Sequence, residues 1–266
     1  MDTSGYNMDP VFYITALLLT GIVAGLATGL LGVGGGFIIA PVLFFLMESS
    51  GTPPDIAIRT AFATSLAVIL PAALTGAYSH YRRGCVDAGR AIPMGALGAC
   101  GSILGVLTAT SSPAGILRVV FGLLLILVSL QLILSSRISP SHGRRNASIP
   151  LGFVAGFLSG LLGIGGGVVL VPLLVLVGGF DVLEAVGTSS VVIAMTAASG
   201  TVSYLLSGPG GQFSVGYVNL VQFTAIAFMS VPASRLGVMA AHRVDVRYIR
   251  YLFIALLLVT GFRMIL

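Results

Sequence analysis

The sequence predicts an all-α integral membrane protein of two inverted repeats. Each holds about four helical segments, with a broken or re-entrant glycine-rich first segment. Three observations predict this: the chain is too apolar for a water-facing surface, one glycine-rich motif occurs twice in matching surroundings, and equivalent loops differ in charge. Of 266 residues, 56% are hydrophobic and 8% charged, and mean hydropathy is +1.07. A soluble domain carries about 25% charged residues, so this surface must face lipid. A spanning helix takes about 20 apolar residues, and runs at 11–47, 62–79, 91–109, 116–134 and 248–266 supply them.

The formal net charge of +5 does not indicate nucleic acid, because the basic residues sit in short loops between apolar runs, where they orient a membrane protein. All 13 are arginine. Without lysine there is neither a Schiff base nor a Walker-type phosphate loop. Cys85 and Cys100 are too few for a disulfide framework or a metal site, and no cofactor is expected. Asp2 and Asp9 with no basic residue nearby are the reverse of a signal-peptide start.

The repeat organises the chain. GLATGLLGVGGG at 25–36 returns as GFLSGLLGIGGG at 156–167, and Pro41 and Pro172 follow at matching distances. AFATS at 61–65 aligns with AVGTS at 185–189, each leading to Gly76 or Gly200. GSILG at 101–105 answers ASRLG at 233–237, and ILRVVF at 116–121 answers YIRYLF at 248–253. The chain therefore divides into an N-terminal transmembrane repeat (1–135), a polar cytoplasmic linker (136–150) and a C-terminal transmembrane repeat (151–266). Arg82, Arg83 and Arg90 follow the second segment, whereas the equivalent loop at 205–216 is uncharged; after the third segment the asymmetry reverses, with Arg243, Arg247 and Arg250. Under the positive-inside rule, equivalent loops then lie on opposite sides, with Asp181 and Glu184 the one acidic exception on the cytoplasmic side.

Inversion needs an odd number of crossings per half, so one of four segments must break or fail to cross. Glycine costs about 1 kcal/mol in a helix interior, and Gly34, Gly35 and Gly36 stand together, as do Gly165, Gly166 and Gly167. Breaks are expected at 32–36 and 163–167. Before each, glycines recur every fourth residue (Gly21, Gly25, Gly29; Gly152, Gly156, Gly160), a spacing for close helix packing in lipid.

Broken helices in inverted repeats hold transporter sites, and the N-terminus of the second half-helix suits an anion. The candidate substrate-binding residues are therefore Gly34, Gly35, Gly36, Gly165, Gly166 and Gly167, with the matched hydroxyls Thr64, Ser65, Thr188 and Ser189. Thr28 answers Ser159, and Thr75 answers Ser199. Such hydroxyls serve equally for bonding within and between helices. Arg235 stands inside an apolar run opposite Ile103 of the other half; a guanidinium there pairs, faces a wet cavity or snorkels to the surface. Asp87, Asp55, Glu48, Asp181, Glu184 and Asp245 all fall in loops or at span ends. A carboxylate proton relay, a cation site, bis-histidine haem ligation by His80, His142 or His242, and a hydrolytic triad are accordingly not expected.

The doubled GLLGxGGG motifs with their prolines, in an eight-segment duplicated chain, resemble the sulfite exporter TauE/SafE family from about residue 15 to 266. The resemblance implies a multi-pass protein of the cell (inner) membrane. It would carry sulfur-containing anions such as sulfite, thiosulfate or organosulfonates, commonly outward, and would not be an enzyme. Its partners would be a small-molecule anion and the lipid bilayer, and a homo-oligomer is compatible with it. A carrier of another small solute or metal ion, or a membrane sensor or scaffold without flux, is the alternative reading.

Overall fold

Glycine placement decides where these helices stop. In the computed structural model, which describes residues 9–31, 34–134, 148–211, 213–241 and 246–266, the first helix α1 (Pro10–Leu31) ends just before the glycine triplet, and α2 (Gly36–Ser49) begins within it. The second copy behaves identically, with α6 (Ile149–Leu162) and α7 (Gly167–Leu176). Gly34 and Gly35 have φ of 88° and 58°, and Gly165 and Gly166 of 76° and 73°, the left-handed region that only glycine enters without strain. Both expected breaks are thus present. Residues 135–147, which hold most of the linker expected at 136–150, and Gly32, His242, Arg243 and Asp245 lie outside the described residues.

The remaining helices are α3 (Pro54–Arg82), α4 (Ala88–Ser111), α5 (Ala114–Leu134), α8 (Val182–Ser207), α9 (Leu220–Ala241) and α10 (Val246–Ile265). Among the described residues, five helices are long and apolar enough to cross a membrane: α1, α3, α4, α5 and α8. Large apolar side chains such as Leu107, Leu127, Leu206, Phe228 and Val259 lie exposed on the outside, as lipid contact requires. The protein is a multi-pass membrane protein. A short antiparallel hairpin, β1 (Ser214–Val215) and β2 (Val218–Asn219), is an addition to the all-helical expectation. It turns at Gly216, whose φ of 57° suits a tight turn.

Contacts define two ends. At the arginine-rich end, a Cβ on Gly187 would collide with the Cys85 carbonyl, and Arg90 lies over the Phe180 ring at 6.0 Å. The end of α3, the start of α4 and the start of α8 meet there. At the hairpin end, Arg59 donates to the Ser112 carbonyl at 3.1 Å and Tyr217 N–H to the Tyr204 carbonyl at 3.1 Å. The start of α3 and the end of α8 meet there, so these two equivalent helices run antiparallel. Each glycine break turns a helical hairpin whose outer ends share one face. Tyr13 on α1 accepts from Gln222 at 2.6 Å, and Glu48 on α2 pairs with Arg118 at 3.6 Å, both at the hairpin end. The α6–α7 pair opens toward the arginine-rich end, beside Met94 and Phe180.

The glycine stripes seat these hairpins across the halves. A Cβ on Gly152, Gly156 or Gly160 of α6 would strike the backbone of Met94, Gly98 or Ser102 of α4. On α1, Gly21 and Gly25 meet the carbonyls of Ile226 and Ser230 on α9. In the sequence alignment, Ile226 answers Met94 and Ser230 answers Gly98, so the two seats are equivalent contacts made reciprocally. The carboxylates are used at helix ends: Asp87 caps α4 by accepting from Arg90 N–H at 3.3 Å and pairs with the Arg90 guanidinium, while Asp55 and Glu184 lie in first turns, where the helix dipole favours them.

Candidate functional site

A narrow crevice of about 10 Å³, room for about one water, opens beside the first break, lined by Ala24, Gly25 and Thr28 of α1, Gly34, Ile39 of α2, Val68, Ile69 and Ala72 of α3, and Ser230 and Ser234 of α9. It lies at the turn: α1 ends at Leu31, Gly34 and Gly35 at positive φ lead into α2, and the crevice beside them faces α3 and α9. Ala72 and Ser234 belong to the halves of α3 and α9 nearer the arginine-rich end. The wall carries three hydroxyls and no charged group. Thr28 donates to the Ala24 carbonyl at 2.7 Å, Ser230 to Ala227 at 3.3 Å and Ser234 to Val231 at 3.0 Å. Each proton is held within its own helix, and a hydroxyl can rotate to present it to an incoming acceptor.

The two breaks come together at the centre. A Cβ on Gly36 would lie 2.9 Å from the Gly163 carbonyl and 2.5 Å from Ile69 Cδ1, and one on Gly165 would lie 3.1 Å from Ile69 Cγ2. Ile69 therefore stands between the two glycine turns, with its repeat equivalent Ile193 3.4 Å from the same Gly165 position. Of the predicted residues, Gly34 lies in the crevice wall. Gly35, Gly36, Gly166 and Gly167 are buried behind it as helix starts, with Gly35 against Thr28 and Gly166 against the Ala155 carbonyl.

The matched hydroxyls take other positions. Thr64 accepts from Asn219 N–H at 3.0 Å, and Thr188 accepts from Asp87 N–H at 3.1 Å. Asn219 and Asp87 are themselves aligned, and both accept from backbone N–H groups at the starts of α9 and α4. Each threonine thus pins the cap of a helix from the other half. Ser65 donates to the Gly36 carbonyl at 3.4 Å and Ser189 to Val186 at 3.0 Å. Arg235 is exposed on α9, one residue past the crevice-lining Ser234. The wall residues Ser230 and Ser234 were not singled out from the sequence; the signal was Ser234's place in the ASRLG motif, beside an arginine that drew more attention. Among the described residues no group of three His, Cys, Asp or Glu side chains could hold a metal.

Comparison with known proteins agrees with this architecture. The sulfite exporter TauE/SafE family matches residues 17–264. A probable membrane transporter protein of Methanocaldococcus jannaschii is 30% identical over 94% of this chain and 94% of its own length. A similarly named protein of Haemophilus influenzae is 29% identical over 96% of this chain and 98% of its own, and one of Bacillus subtilis is 30% identical over 72% and 78%. No solved structure matches. With a family match along nearly its whole length and a relative 30% identical over 94% of both chains, this chain belongs to the sulfite exporter TauE/SafE family of membrane transporters.

Proposed function

We propose that the protein exports small sulfur-containing anions such as sulfite, thiosulfate or organosulfonates. The crevice at the glycine breaks is the substrate site, exposed alternately to the two faces by movement between inverted repeats at 1–135 and 151–266. The observation that carries this reading is the crevice wall itself, where Thr28, Ser230 and Ser234 offer hydroxyl donors beside Gly34 with no carboxylate among them. Hydroxyl protons can replace water around an oxyanion, whereas a cation would meet no negative side chain there. The antiparallel course of α3 and α8 and the reciprocal seating of α1 on α9 and α6 on α4 support the inverted arrangement. Arg235, exposed beside the wall, adds attraction for an anion at the crevice mouth rather than a contact. Anion efflux from an inside-negative cell gains about 2.3 kcal/mol per charge per 100 mV, so no coupled ion is required. Nothing in this reading asks for catalysis.

Binding is tested by thermal melting of the detergent-purified protein. Sulfite, thiosulfate or an organosulfonate is expected to raise Tm in a saturable way that chloride and divalent cations do not reproduce, since a ligand at 100 times its Kd stabilises by about 2.7 kcal/mol. Thr28→Val is expected to weaken that binding by about 2 kcal/mol, roughly thirtyfold in Kd, the scale of a lost hydrogen bond to a charged group. Equal stabilisation by chloride, or an unchanged Kd in Thr28→Val, would count against the crevice as the site.

A further inference from the structure

The crevice has an image elsewhere in the molecule, and the image is shut. Alignment of the halves pairs Thr28 with Ser159, Ser234 with Ser102, Ala72 with Thr196, Gly76 with Gly200 and His80 with Tyr204. The image lies between α4, α6 and α8, on the hairpin-end side of the breaks. Its walls touch. Ser102 donates to the Thr196 carbonyl at 2.9 Å, Tyr204 donates to the Gly160 carbonyl at 2.9 Å, and a Cβ on Gly200 would stand 2.6 Å from Ser102 Oγ.

The equivalent contacts on the open side are unmade. Ser234 and Ala72 both line the crevice, with Ser234 turned to its own helix. A Cβ on Gly76 would meet only Ser190 Oγ, at 3.8 Å, and His80 Nδ1 is buried without a hydrogen-bond partner. A separate observation does not depend on the alignment: Ser159 is fully buried, and its Oγ has no partner. A buried hydroxyl left unpaired is unfavourable, and it makes sense where a second conformation wets it.

We infer that the protein has a second anion-access crevice, the image of the first and closed in this structure, in which Ser159 is the exposed hydroxyl and the Ser102 and Tyr204 hydrogen bonds are the latch. This rests on the transport reading above and extends it, because it names the contacts for the same small oxyanion on the opposite face. As α9 closes on α3, Ser234 donates to the Ala72 carbonyl and His80 gains a partner on α1. At the same time α4 and α6 part from α8, the Ser102–Thr196 bond breaks, and Ser159 faces the opening. The two donor sets overlap, with Thr28 answered by Ser159 and Ser234 by Ser102 while Ser230 is answered only by Gly98, so the anion meets a hydroxyl from either side.

The test is made in a background carrying Cys85→Ser and Cys100→Ser. Ser234→Cys with Gly76→Cys is oxidised in membranes, and Ser159→Cys in the same chain is probed with a membrane-impermeant maleimide added from the hairpin face. The bridge is expected to form and to raise the labelling rate of Ser159→Cys at least tenfold over the reduced protein. Failure of the bridge to form in protein that stays monodisperse, or labelling that does not change when it forms, overturns the inference. If Gly76→Cys disturbs folding, Ser234→Cys with Ala72→Cys closes the same wall and is read in the same way. Neither readout uses flux. Transport is read separately on the wild-type protein: a bridge with accelerated labelling in the variants but no sulfite transport by the wild type keeps the second crevice and removes the carrier reading, and wild-type transport without either readout does the reverse.

Discussion

Gly156→Leu is expected to leave little folded protein in the membrane. At this position α6 crosses α4 so closely that even a Cβ would collide with the carbonyl oxygen, carbonyl carbon and Cα of Gly98. The obstacle is backbone, not a side chain that can swing aside, so the helices must separate along the whole seam from Gly152 to Gly160. Overpacking of a tight core costs about 1–3 kcal/mol, and a leucine against backbone belongs at or above the top of that range. Native proteins hold about 5–15 kcal/mol in all. In lipid the loss is severe, because close approach is the main source of helix association there. Thermal melting with size-exclusion in detergent measures it. Gly115→Ala is the control: nothing lies within 4 Å of a Cβ there, and the exchange is expected to leave Tm unchanged or slightly raised. A Gly156→Leu protein melting with the wild type would remove the α4–α6 seam as a stabilising contact.

Gly35→Leu and Gly166→Leu are expected to abolish transport, and the alanine variants to reduce it strongly. Both residues start a helix at positive φ, 58° and 73°, where a side chain costs about 1–2 kcal/mol. A Cβ on Gly35 would stand 2.7 Å from Thr28 Oγ1 and 2.9 Å from the Ala24 carbonyl, and one on Gly166 would stand 2.7 Å from the Ala155 carbonyl. The added carbon pushes α2 off α1, or α7 off α6, and deforms the turn on which the crevice depends. Flux in proteoliposomes, normalised to correctly folded protein, is the measurement. Wild-type flux in both leucine variants would show that the glycine turns are not part of the transport path.

The membrane character and the breaks were legible because both are local properties. Composition alone makes a watery surface untenable, and three adjacent glycines are costly to keep in a helix. The duplication was legible because the motifs keep their order; in the structure α1 and α6 end at the aligned Leu31 and Leu162, and α4 and α9 start at the aligned Ala88 and Leu220. What the sequence could not supply is which elements meet. The small-residue stripes of α1 and α6 predict a close partner without naming it, and only the fold identifies α9 and α4. Thr64 and Thr188 looked like ligands because hydroxyls matched across the halves. The match is equally the signature of two equivalent structural bonds, to the N–H groups of Asn219 and Asp87, and that partnership spans too much sequence to be read from a pattern. Arg235 was conspicuous as a charge in an apolar run, yet its side chain is exposed, while the neighbouring Ser234 faces the crevice. A helix turns 100° per residue, so one position separates the wall from the outside.

Flux in proteoliposomes under an imposed membrane potential tests the central claim most directly. Purified protein is reconstituted with sulfite, thiosulfate or an organosulfonate inside, and efflux is followed at several potentials beside chloride and a divalent cation. The account predicts selective movement of a sulfur oxyanion, accelerated by an inside-negative potential and weakened in Thr28→Val. Efflux of chloride or the metal cation at the same rate, or no movement of any sulfur oxyanion from folded protein, would contradict it.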